Sequence, residues 1–307
     1  MQGILLIDKS TNKTSYDVVE EIKNILRIKK VGHTGTLDPF ASGLLVIGIG
    51  KGTRILEYLS DGEKEYYFTA KLGIITDTYD ITGKVTEEHE VNVSEDDIKR
   101  ISDSMRGKQK QVPPAYSAKK YQGKRLYELA REGKIISLPP REIEIKELQL
   151  IHFDERRHLL CMKVIASKGT YIRSLCADMG YKLGCGATAI GLRRTKNGRF
   201  DIKDAIKDTF LDREKILKNV KSIDESLSFP GIVVDENAAR RVANGMQVYC
   251  PDVIKVKGRF KKNDHISIWD VEGHFLAIAT AERSSRFISH IVKAERRDRV
   301  AKLRKVF

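Results

Sequence analysis

Strand-length and helix-length patterns are mixed along this chain without strict alternation, which points to an α+β fold rather than a doubly wound one. Residues 3–7 are an apolar run of strand length, and 44–49 are another, closed by glycines. Lys64–Leu72 alternates loosely and is rich in aromatic residues, as strands are. Thr14-Ser15 with Asp17 marks a helix start, and Val18, Val19, Ile22, Ile25 and Leu26 fall on one helical face. Ser94 with Asp97 opens a helix over 94–105. Strands are expected at about 141–152 and 159–167, a helix over 171–183, a strand from 187 to 193, and a polar helical region to about 226.

At 307 residues, the length suggests two domains. Ser228-Phe229-Pro230-Gly231 is the best boundary, giving domains at 1–228 and 229–307. The second reads as a small β-rich module, with a helix over 236–244 and strands at 265–269 and 275–280. Within the first, 107–140 carry Pro113-Pro114, Pro139-Pro140 and many basic residues, with one helical patch, Leu126–Arg131. This segment reads as a basic excursion from the core.

Hydrophobic residues make up 41% of the chain, enough for a core, which excludes a disordered or fibrous protein. The longest uncharged apolar stretch, 43–50, falls far short of the roughly 20 residues that span a bilayer. The N-terminus has no signal-peptide pattern, so a cytoplasmic location is expected. The four cysteines form no C-x-x-C pair and no histidines sit at finger spacing, so free thiols are expected rather than zinc or disulfides.

The net charge is +14, and the last 78 residues hold +7 of it. Residues 293–305 are densest, with seven basic side chains against Glu295 and Asp298. No lipidation motif accompanies them, so the expected partner is nucleic acid and not a membrane.

The densest polar cluster is Gly32-His33-Thr34-Gly35-Thr36-Leu37-Asp38-Pro39, followed by Ala41-Ser42-Gly43. Its glycines and proline predict a loop, and an aspartate before proline is pushed towards extended backbone that presents its side chain. On residue types alone, a turn in which Asp38 caps backbone amides is the simpler reading. Gly48-Ile49-Gly50-Lys51-Gly52-Thr53 fits neither phosphate-loop pattern and reads as a strand-to-helix turn.

The loop resembles the catalytic signature of the TruB family of tRNA pseudouridine synthases. The resemblance covers nearly the whole chain: Asp8-Lys9 leading into Thr14-Ser15-Tyr16-Asp17, Gln111-Val112-Pro113-Pro114-Ala115-Tyr116-Ser117-Ala118-Lys119-Lys120, Gly123, Leu126-Tyr127-Glu128, and Ser167-Lys168-Gly169-Thr170-Tyr171-Ile172-Arg173. The end resembles a PUA domain, a small RNA-binding β-barrel. The implied fold is a pseudouridine synthase core with a mixed, largely antiparallel sheet flanked by helices, plus a β-barrel-like PUA domain. Two departures concern local loops: Lys9-Ser10 where the family often has Lys-Pro, and Asn197-Gly198-Arg199 where it often has Val-Gly-Pro.

The resemblance implies an isomerase that converts the uridine at position 55 in the TΨC arm of tRNA to pseudouridine. The reaction breaks the N1–C1′ bond, turns the base and rejoins it through C5. It needs no metal or organic cofactor. It needs a carboxylate able to act as nucleophile or to stabilise positive charge. Asp38 matches the catalytic aspartate, and Arg173 is the guanidinium expected to keep it ionised and oriented. Tyr66 matches the active-site tyrosine that stacks on the flipped base. From residue types alone Tyr66 and its neighbour Tyr67 both read as sheet packing, and a one-residue slip would exchange their faces. His33 is implied to fill the gap left by the flipped base, and Lys9, Tyr171 and Leu192 to line the pocket. Lys119 and Lys120 belong to the basic insertion, implied to clamp RNA through phosphates.

The implied partner is tRNA, held at the T-arm and, through the PUA domain, at the acceptor end. No obligate protein partner is implied, and a monomer is expected. Two other readings compete: a guide-RNA-dependent synthase, and a non-catalytic tRNA-binding or folding protein. The first is disfavoured by the insertion from Pro113 to Glu128, the second by the intact Asp38, Tyr66 and Arg173.

Overall fold

The structure, a computed structural model, describes residues 1–307 apart from 117–119, 135, 137 and 292–297, and without the side chains of 120, 121, 124, 125, 127, 131 and 291. The chain divides into two compact units, Leu5–Val220, and Lys221–Phe307 together with Met1–Ile4. The joint lies at 220/221 because Lys221 exchanges both main-chain hydrogen bonds with Ile4, at 2.8 and 2.9 Å. It therefore falls a few residues before the Ser228–Gly231 break in composition.

The larger unit is built on one sheet. Its strands run in the order Ile206–Lys207, Gly3–Lys9, Ser42–Ile49, Ala187–Asn197, Lys64–Leu72, Leu159–Ala166, Arg141–Asp154 and Gly107–Gln111, with Val31–Thr34 paired to Ser42–Ile49. Ala187–Asn197 runs parallel to Ser42–Ile49 and antiparallel to Lys64–Leu72. The sheet is thus mixed and largely antiparallel, as expected for an α+β fold.

Helices Ser15–Leu26, Glu95–Ser104 and Ile172–Leu183 contribute Val18 and Ile22, Ile98, and Leu175 and Met179 to one core with the sheet residues Leu5, Ile7, Ile47, Phe68 and Val164. Two of these helices start where the sequence places them. Thr14 and Asp17, and Ser94 and Asp97, form reciprocal capping boxes that satisfy otherwise unpaired amides. The third ends at Gly184, whose φ of +79° suits glycine. Truncating a fully buried side chain such as Ile22 to alanine would cost about 2–5 kcal/mol.

Three local expectations are corrected. Gly32, His33 and Thr34 are strand, not loop, because they pair with 46–48 of the neighbouring strand. The region from 194 to 226 is not continuously helical: Ala187–Asn197 extends as strand, Phe200–Asp201 and Ile206–Lys207 add short strands, and only Arg213–Asn219 and Ile223–Ser226 are α-helix. Gly107–Gln111 is the edge strand of the main sheet, paired with residues 141–145, so the excursion starts after Gln111. At Val31–Thr34, Ile206–Lys207 and Gly107–Gln111, pairing with a distant strand overrides local composition, whereas Phe200–Asp201 returns in a tight hairpin on Lys196–Asn197.

The smaller unit has a six-stranded sheet in the order Val248–Tyr249, Arg299–Val306, Phe275–Ala281, His265–Trp269, Gly231–Val234 and Val253–Lys257, forming a curled half-barrel. Helix Glu236–Ala243 packs Ala238 and Val242 into its own core with Ile232, Ile266 and Ala279. The end of the basic tail is not a free extension, because Arg299–Val306 is a strand paired with Phe275–Ala281. No helix among the described residues is long and apolar enough to cross a membrane.

Candidate active site

The loop after strand Val31–Thr34 begins at Gly35, with φ +73°, and ends at Gly43, with φ +106°, a region that L side chains avoid. Buried Ser15, the first residue of its helix, holds the middle of the loop. Its Oγ accepts from Leu37 N at 2.9 Å and donates to Leu37 O at 3.2 Å. Asp38 follows, and its carboxylate meets Arg173 rather than the loop's own amides.

Arg173 stands on the first turn of helix Ile172–Leu183, is 4% exposed, and does not face solvent. Its Nε lies 2.9 Å from Asp38 Oδ2, and its Nη2 donates to Asp38 Oδ1 at 3.2 Å. Nη1 donates to Asp80 Oδ2 at 3.0 Å and to Thr78 O at 2.9 Å, and Nη2 also donates to Tyr116 O at 2.8 Å. The fork is thus clamped by two carboxylates and two carbonyls, which sets its plane.

Asp80 is the residue that sequence reading missed. It is buried, and its Oδ1 accepts from Thr78 Oγ1, Thr82 N and Thr82 Oγ1 at 3.0, 2.9 and 2.5 Å. The run Thr76-Asp77-Thr78-Tyr79-Asp80-Ile81-Thr82-Gly83 carried a signal in its density of threonine and aspartate. Its main chain docks on the sheet, with Ile81 N donating to Ala189 O at 2.9 Å.

The Asp38 side chain is 35% exposed, so water reaches one side of the carboxylate. Burial of the rest pushes the carboxyl above its ordinary range, Arg173 pulls it down, and Asp80 pushes it up again, with a net upward direction. A partly open, oriented carboxylate whose partner is fully occupied can approach an electrophilic carbon or a developing cation.

Tyr66 is buried at 7% exposure in the same core as Leu37, Leu192 and Ile172, whereas Tyr67 points to the opposite face at 37%. No hydrogen bond joins the Tyr66 hydroxyl to another described residue. Leu192 is buried in that core, cross-strand from Phe68. Tyr171 caps helix Ile172–Leu183, and Gln111 bonds both its N and its O, at 2.8 and 3.0 Å. The Arg141 guanidinium lies 4.5 Å over the Tyr171 ring. His33 is half-buried on strand Val31–Thr34, five residues before Asp38.

Lys9 is fully buried, and its Nζ donates to Ser10 O and Lys13 O at 2.8 and 2.7 Å. Burial pushes it down to about 8, against opposing pulls from Asp208 and Asp38. Where the family often has proline, Ser10 is tied down instead: Asp208 accepts from both its N and its Oγ at 3.0 Å. Lys119 and the side chain of Lys120 lie outside the described residues.

Among the described residues, the side chains that could share a cation are Asp270, Glu272 and His274, on the turn between strands His265–Trp269 and Phe275–Ala281. His274 Nδ1 lies 2.9 Å from Asp270 and 3.4 Å from Glu272, which raises the histidine's affinity for a proton. The group reads as an ion-paired turn.

Three family models match the chain: the TruB family pseudouridylate synthase N-terminal domain over 23–172, the tRNA pseudouridylate synthase B C-terminal domain over 173–228, and the PUA domain over 230–307. A chain named tRNA pseudouridine synthase B from Thermosipho melanesiensis is 48% identical over 307 residues, covering 100% of this chain and 99% of that one. A chain of the same name from Thermotoga maritima is 46% identical over 99% of this chain and 98% of its own length. Among solved structures, a chain of an H/ACA RNP bound to a substrate RNA containing 2′-deoxyuridine superposes with a TM-score of 0.75 at 24% identity, covering 99% of this chain and 84% of that one. By class the chain is an enzyme, a pseudouridine synthase, and it belongs to the TruB family.

Proposed function

We propose that this enzyme converts the uridine at position 55 of the TΨC arm of tRNA to pseudouridine, acting alone on a base flipped out of its stack. The observation that carries the reading is the bidentate Arg173–Asp38 pair, with one side of the carboxylate open to water. Asp38 serves as nucleophile or charge stabiliser when N1–C1′ breaks. After the base turns, C5 bonds to C1′, the C5 hydrogen leaves as a proton, and N1 takes one up. Tyr66 stacks on the flipped base, Leu192 and Tyr171 bound the pocket, and His33 enters the gap in the RNA stack. Lys9 lines the pocket, its ammonium held by the carbonyls of Ser10 and Lys13.

Recognition of the folded arm by shape and phosphate contacts suits a chain of +14 charge. The insertion after Gln111 is basic in sequence, and Lys119 and Lys120 in it are assigned to RNA phosphates. The smaller unit supplies a basic surface for the acceptor end, around a cavity of about 610 Å³ lined by Lys262, Arg283, Arg299, Lys302 and Arg304 with Glu282. Stand-alone action is favoured over guidance by a second RNA, because the relatives matched at 46–48% identity over the whole chain are named tRNA pseudouridine synthase B. The likeness to the H/ACA RNP chain speaks for the fold.

The test is tritium release from a tRNA transcript labelled at uridine C5, without any other RNA or protein. One equivalent released, and lost when the T-arm is mutated, is expected. Asp38→Asn should abolish release while tRNA affinity stays within a few-fold. Release by that variant would refute the role given to Asp38, and no release by the unaltered chain would refute stand-alone synthesis.

A further inference from the structure

We infer that Arg194 is a positioning residue for this reaction, because one buried side chain and its own main chain hold both ends of the loop that presents Asp38. The inference rests on the function proposed above.

The side chain holds the start of the loop. Arg194 is 1% exposed, its Nη2 donates to Gly35 O at 2.6 Å, and its Nε donates to Leu44 O at 2.8 Å. The main chain holds the end. Arg194 is the register partner of Gly43 in the parallel ladder, and a Cβ at Gly43 would lie 2.3 Å from Arg194 O and 2.7 Å from its N. Only glycine permits that approach. Arg194 is also the cross-strand partner of Tyr66, so the two side chains share one face of the sheet. Contacts to Asp38 itself are made by Arg173, so Arg194 acts through the loop.

The choice of arginine is costly in stability. Among the described residues no carboxylate pairs with this buried cation, whose partners are carbonyl oxygens. It also burdens a neighbour: Lys64, buried on the same face, is pushed down to about 8 by burial first and by Arg194 second. An apolar side chain would fill the space without that cost. A rigid planar fork that spans Leu44 O and Gly35 O at once is what arginine adds, and a lysine ammonium is a point donor without the fork.

The experiment is single-turnover tritium release by Arg194→Lys on C5-labelled tRNA transcript, with the dissociation constant for that RNA and the folded fraction by circular dichroism measured on the same preparation. A rate about 100-fold lower is expected, the order of loss that a misplacement of about 1 Å produces, with RNA affinity within about threefold. Gly35→Ala is the second variant, because its Cβ would lie 3.1 Å from Arg194 Nη1 at a φ of +73° and so disturbs the same contact from the loop side. It carries the test if Arg194→Lys does not fold. Three outcomes overturn the inference: unchanged turnover, turnover that merely tracks the folded fraction, or affinity lost in step with rate. Failure of the proposed function differs from all of these, because the unaltered chain would then release no tritium.

Discussion

Arg173 reaches Asp38 with two nitrogens, at 2.9 and 3.2 Å, while its third nitrogen binds Asp80 at 3.0 Å. One guanidinium therefore joins the loop aspartate to a second, buried aspartate from a separate segment. Arg173→Lys keeps the charge and loses the fork. Turnover is expected to fall about 10²- to 10³-fold, with tRNA affinity nearly unchanged, in single-turnover and binding assays run together. An equal loss in both would mean that Arg173 serves RNA binding.

Asp80 tests the same network from behind. Asp80→Asn keeps the shape and removes one charge beside Arg173, leaving a buried cation with one carboxylate. Breaking a buried pair of this kind costs about 3–5 kcal/mol when a partner is deleted, and somewhat less when an amide replaces it. Denaturant unfolding should show a loss of about 2–3 kcal/mol, and turnover should drop with it while RNA affinity holds.

Lys64 gives a pH dependence with a defined sign. Its folded value is about 8, against 10.5 in the unfolded chain. Between these values the unfolded chain binds more protons at this site, so Lys64 adds stability as pH rises. The wild type should gain about 2 kcal/mol on Lys64→Met between pH 8 and pH 10. Using the difference between the two proteins cancels titrations that run the other way, such as the Cys176 thiol, which burial pushes up. Parallel stability curves for the two proteins would refute the burial argument.

Asn197 is fully buried, and neither its Oδ1 nor its Nδ2 has a hydrogen-bond partner among the described residues. An orphaned buried amide costs about 1–3 kcal/mol. Asn197→Val should therefore raise the unfolding free energy by about 1–2 kcal/mol in chemical denaturation. A destabilised variant would show that the amide is satisfied, through water.

The basic surfaces should make binding steeply salt-dependent. For about four phosphate contacts, affinity for tRNA should fall about 100-fold between 50 and 200 mM salt. Lys262→Ala combined with Lys302→Ala, both on the cavity of the smaller unit, should flatten the log–log slope by roughly 2 if each meets a phosphate. An unchanged slope would show that these two lysines meet no phosphate.

Much of this molecule follows from local chemistry. The capping boxes at Thr14 and Ser94 start their helices, alternation defines Lys64–Leu72 and places Tyr66 and Tyr67 on opposite faces, and glycines with Asp38-Pro39 shape a loop that presents a carboxylate. These signals act over a few residues, through backbone preference and side-chain period, so they are legible in a linear string. The strand at Val31–Thr34 and the edge strand Gly107–Gln111 were not, because both depend on pairing with a distant partner. The site is less local still. Arg173 is 135 residues from Asp38 and 93 from Asp80, and Arg194 is 159 from Gly35. The family resemblance implied the Asp38–Arg173 partnership, which residue types alone did not, and only the packed sheet brings Asp80 behind Arg173 and sets Arg194 under both glycines. Burial makes those contacts strong and selective, and burial is a property of the tertiary structure.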